Sequence, residues 1–77
     1  MELSEKAKQA FLKKLGHRVE RLIYDKFGNK NQFIEETGFY KQTLHDITTG
    51  SRDAHIWTLK KLAAALDVPL KAILDEE

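Results

Sequence analysis

Between Asn29 and Gly50 two short helical signals sit on either side of one glycine, and no other stretch constrains the fold as strongly. Asn29-Lys30-Asn31-Gln32 reads as a capping box, in which Asn29 accepts a bond from the Gln32 amide and the Gln32 side chain reaches back. The helix it opens runs about two turns, to Thr37. At Gly38 the chain must stop and turn sharply through a left-handed conformation that costs glycine little. After a short turn a further helix covers roughly Lys41 to Thr48, with Leu44 and Ile47 as its inward pair and Gly50 beyond its end. Two helices joined so tightly cross steeply, which leaves the second protruding with its first residues outward.

The flanking segments supply helices to pack against this pair. Ser4 can cap a long first helix, with Glu5 at the positive end of its dipole. Ala7, Phe11, Leu15, Val19, Leu22 and Ile23 recur at three- and four-residue steps, which predicts one apolar face through about Lys26, with Gly28 ending the helix. The polar run Gly50 to His55 reads as a surface loop. A fourth helix is expected over about Ile56 to Leu66, buried through Ile56, Leu59, Leu62, Ala63 and Leu66. Pro69 suits the first turn of a short fifth helix whose apolar side is Leu70, Ile73 and Leu74. No segment alternates as a strand would. The expectation is an all-α, five-helix fold: one domain over 1–77, with a core at 15–74 and a helical extension at 1–14.

At 77 residues such a domain buries only about 60% of its unfolded surface, so its stability is marginal. Without cysteine it has neither disulfides nor thiolate metal sites to add to the core. Helix packing or dimerisation has to supply the difference. The first residues carry two acids and lead into no long apolar run, so a signal peptide is not expected; nor is a membrane span. A cytoplasmic location follows as an expectation. The formal charge is only +1, but its distribution is uneven. Residues 1–61 carry 12 basic and 8 acidic groups, whereas residues 62–77 set Lys71 against Asp67, Asp75, Glu76 and Glu77. The acidic end should face away from a polyanion, and the remainder is mildly basic.

From Leu15 to Leu74 the sequence resembles the Cro and phage-repressor type of helix-turn-helix domain, also called the xenobiotic-response-element family. The resemblance rests on Leu15-Gly16-His17-Arg18-Val19 with Leu22, on Phe33 and Gly38, on Leu44, Ile47 and Gly50, and on Thr58-Leu59, Leu62-Ala63, Leu66 and Val68. It implies a lambda-repressor-like helix-turn-helix fold with an extended first helix. The implied function is a sequence-specific transcriptional regulator, typically a homodimeric repressor, that reads the major groove of double-stranded DNA.

Base reading is then expected from Tyr40, Lys41, Gln42, His45 and Asp46. Lysine can donate to guanine O6 and N7, glutamine can pair with adenine, and aspartate can accept from cytosine N4 or reject other sequences. Phosphate contacts are expected from Lys30, Asn31, Thr43, Ser51 and Arg52. The sequence also departs from the family pattern. Lys30 replaces a glutamine that usually bridges phosphate and the third helix, and Ile34 replaces an alanine. Tyr40 replaces a short hydroxyl residue that would cap the third helix. Thr48 replaces a glutamate that usually pairs with the arginine matched by Arg18, so Arg18 is expected on carbonyls at the end of the third helix, or on phosphate.

Phe11, Leu12 and Trp57 are candidates for a dimer or partner surface, and Leu3 raises the same question. The rival reading keeps the fold but binds a protein, as an antitoxin partnering a toxin or as an anti-regulator or coactivator-like module would. An enzyme is not expected, and neither is a cofactor. No paired acid and base, phosphate loop or activated nucleophile is present, and His17, His45 and His55 lack the spacing of a helical metal pair.

Overall fold

The computed structural model describes residues 4–51 and 55–74, and every described element is helical. Helix α1 is Glu5–Phe27, α2 Lys30–Thr37, α3 Lys41–Thr49, α4 Ile56–Leu66 and α5 Leu70–Leu74. Among the described residues there is no strand, and no helix is long and apolar enough to cross a membrane. Leu3 and Arg52 lie outside the described residues.

The helix ends follow local chemistry. Ser4 Oγ accepts the Ala7 amide at 3.1 Å, and Asn29 Oδ1 accepts the Gln32 amide at 2.7 Å. The reciprocal half of the expected capping box does not form. The Gln32 side chain instead extends along the helix, its Nε2 donating to the Glu36 carboxylate one turn on. Gly38 closes α2 at φ 74° and ψ 17°, its amide donating to the Ile34 carbonyl at 2.8 Å. Helix α3 runs one residue further than expected. It ends in a Schellman motif, with the Gly50 amide on Ile47 and the Ser51 amide on Asp46. The same closure ends α4 on Asp67 at φ 58°, the one non-glycine residue with positive φ among those described.

Helix α1 is the hub, in contact with each of the other four helices, and α4 packs on α5. Leu15, Val19, Ile23, Phe33, Leu44, Leu62, Leu66 and Ile73 are fully buried. Phe33 sits at the centre, with its ring 5.0 Å from Phe27 edge-on and 5.9 Å from Phe39. Burying side chains of this size contributes about 1.5–3 kcal/mol each.

The apolar stripes end earlier than their periodicity suggested. Ala7 is exposed and Phe11 is 44% exposed, whereas Leu12 is buried. Leu12 is therefore no candidate for a partner surface: the backbone of Leu12 and Lys13 lies against Gly50, within 3.3 Å of where a β-carbon there would stand. The part of α1 that outruns its neighbours thus begins before Leu12. Ile56, at the first position of α4, is likewise 58% exposed rather than buried.

Candidate nucleic-acid interface

The turn Gly38-Phe39-Tyr40 separates α2 from α3, and each helix leans on α1 far more than on the other. Leu44, Ile47 and Thr48 hold α3 down, which leaves Tyr40, Lys41, Gln42 and His45 exposed and Thr43 and Asp46 partly so. The anchoring is close. Gly16 of α1 admits the Ile47 and Thr48 carbonyls to 2.5–2.6 Å of the position a β-carbon would take.

A shallow groove of about 110 Å³ runs between α2 and α3, lined by Lys30, Asn31, Ile34, Lys41, Leu44 and His45. It brings together the expected phosphate residues Lys30 and Asn31 and the expected base readers Lys41 and His45. Ile34 and Leu44 form its apolar floor, so the polar groups above it are set on packed elements rather than on a loop. Chemically the groove offers ammonium, amide and imidazole donors to an anionic or hydrogen-bond-accepting ligand.

Lys30 and Gln42 are both already engaged. Lys30 Nζ lies 3.0 Å from Glu20 Oε2 of α1 and donates to Thr48 Oγ1 of α3 at 3.3 Å. Lys30 therefore does reach the third helix, at its end, and must share itself between these acceptors and any phosphate. Thr48 Oγ1 donates in turn to the His45 carbonyl, so this buried hydroxyl is satisfied. Gln42 Nε2 donates to Asp46 Oδ1 at 3.1 Å. That bond uses one of the two amide hydrogens and leaves a donor and an acceptor, the pair that adenine requires. Asp46 thus orients a neighbour, a role distinct from accepting from cytosine.

Ser51 is exposed, with its hydroxyl 2.9 Å from Thr49 Oγ1, beside the end of α3. Tyr40 is 64% exposed, makes no cap for α3, and holds Lys61 of α4 over its ring at 5.4 Å. Arg18 does not turn to the end of α3. Its Nη1 donates to the Ile73 carbonyl at 2.6 Å, which satisfies an orphan acceptor of α5 and ties the fifth helix to the first. Together with Lys14, His17 and Arg21, Arg18 lines a second, basic concavity on α1. Trp57 is 65% exposed.

Sequence reasoning missed Glu20 and Lys61, and noted Thr48 without its contact to Lys30. Glu20 and Thr48 meet Lys30 only through tertiary packing, which local periodicity does not report. The Gln42–Asp46 tie was within reach, since an i,i+4 glutamine and aspartate on a helix are neighbours. Comparison with protein-family models, curated proteins and solved structures gave no match.

Proposed function

We propose that the chain is a sequence-specific double-stranded DNA-binding transcriptional regulator with a lambda-repressor-like helix-turn-helix fold. In this reading α3 enters the major groove and α2 positions it on the backbone. The observation that carries the reading is the α2–α3 groove: Lys30, Asn31, Lys41 and His45 converge there over an apolar floor, while Tyr40 and Gln42 project beside it. Lys41 and Gln42 supply base contacts, and Lys30, Asn31, Thr43, Ser51 and Arg52 supply phosphate contacts. One short helix reads few bases, so the proposal includes a homodimer on half-sites about 34 Å apart, acting as a repressor in the cytoplasm. The chain acts by binding, without catalysis or cofactor.

Selection of duplexes from a random pool, followed by titration at about 50 and about 200 mM salt, tests the reading. A recovered consensus should be bound about a thousandfold less tightly at the higher salt if six phosphates are neutralised. No binding at the lower salt sinks the proposal. Light scattering that finds one copy per duplex removes the dimer from it.

A further inference from the structure

We infer that the outward side of α4, with the ring of Tyr40, is a docking surface for an acidic amphipathic segment of another protein. This inference is independent of the DNA-binding reading and meets it only at Tyr40. Helix α4 has two charged residues, Lys60 and Lys61, and no acid. Its inner side is buried through Leu59, Leu62, Ala63 and Leu66, and its outer side exposes Ile56, Trp57, Lys60, Lys61 and Ala64. A surface helix ordinarily turns polar groups to water on that side. Here Ile56 precedes Lys60 and Trp57 precedes Lys61 by one turn, giving two apolar–cationic pairs side by side. The Tyr40 ring, under the Lys61 ammonium and 6.2 Å from the Phe39 ring, extends the same surface.

Charge decides the occupant. Tryptophan and tyrosine anchor protein interfaces because they bring large contact area, whereas lysine is depleted from interface cores. A partner that covers Trp57, Ile56 and Tyr40 must therefore answer Lys60 and Lys61 with carboxylates. A second copy pairing through this same face does not. Antiparallel self-pairing of this face sets the lysines of both helices at its middle, and Asp67, the carboxylate at the end of the segment, lies beyond Ala64. Duplex DNA carries the charge, but its interfaces are more polar than those between proteins and match an exposed isoleucine and tryptophan less well. A protein segment with apolar residues at helical spacing and flanking acids satisfies both halves of the surface.

Trp57 is the only tryptophan and reports directly on this face. The probes are a synthetic helical peptide with leucines at i, i+3, i+4 and i+7 flanked by glutamates, the same peptide with lysine for every glutamate, and phosphatidylglycerol vesicles. The full chain should bind the glutamate peptide saturably, with Trp57 emission moving to shorter wavelength. A Lys60→Glu, Lys61→Glu double variant should bind it roughly tenfold or more weakly and take the lysine peptide instead. Trp57→Ala should lose affinity for the labelled glutamate peptide by fluorescence polarisation while its circular dichroism melt stays unchanged. Absence of a shift with the glutamate peptide overturns the inference. So does equal binding of both peptides, an equal shift on the vesicles, or a shift that grows with protein concentration alone as dimers form.

Discussion

A β-carbon on Gly16 would stand 2.5 Å from the carbonyl oxygen of Thr48, so α1 and α3 cross backbone to backbone at this point. The obstruction is main chain, not a flexible side chain, and cannot swing aside. Gly16→Ala gains about 1 kcal/mol of helix propensity but must push α3 outward. The net expectation is a loss of about 1–3 kcal/mol in urea denaturation. Gly38→Ala meets no atom within 4 Å and should lose only the cost of its left-handed backbone, about 1–2 kcal/mol. A Gly16→Ala variant as stable as the parent would show that the crossing is looser than described.

Arg18 ties residue 73 to the first helix, and its loss should be felt in α5. Arg18→Ala is expected to cost about 1–2 kcal/mol, from the charge-assisted bond and the packed stem together. Amide exchange in Leu70–Leu74 should accelerate more than in α2. Uniform acceleration in both helices would mean that the bond does not hold α5 in place.

Lys30 is held by Glu20 and Thr48, so under the DNA-binding proposal a phosphate must compete for it. Glu20→Gln removes the competing charge and should tighten binding to every duplex severalfold. Lys30→Ala should weaken all duplexes alike and lower the salt slope by about one. Glu20→Gln with parental affinity on both cognate and random duplex would place Lys30 outside the contact.

Lys41 and the Gln42–Asp46 pair are expected to set sequence preference. Lys41→Ala should cost about 1–3 kcal/mol on the selected duplex and far less on a random one. Asp46→Ala frees Gln42 to sample other rotamers and removes a carboxylate that repels phosphate. The ratio of cognate to random affinity should therefore fall even where total affinity rises. Equal losses on both duplexes for Lys41→Ala, or an unchanged ratio for Asp46→Ala, would remove these residues from base reading.

Much of this architecture was legible because local chemistry fixes it. Ser4 and Asn29 cap where short oxygens precede apolar periodicity, Gly38 and Gly50 stop helices where only a left-handed turn continues the chain, and Ile56 to Leu66 is helical as expected. What periodicity could not tell is where a helix outruns its neighbours. Ala7, Phe11 and Ile56 continue apolar patterns onto exposed positions, while Leu12, off the expected stripe, is buried where α1 meets Gly50 at the end of α3. At the candidate interface the exposed positions of α3 followed from Leu44 and Ile47 alone. The engagements of Lys30 and Arg18 did not, since Glu20 and Ile73 become their neighbours only once α2 and α5 have docked on α1.

Tyr40 introduces α3 without a side-chain oxygen to meet its opening amides, in contrast to Asn29 before α2. A serine there would have made the helix more secure in isolation and occupied donors at its tip. As built, the free protein forgoes some stability at the point from which α3 projects, and a ligand bearing acceptor oxygens can restore it. Under the DNA-binding proposal, occupancy and helix order would rise together.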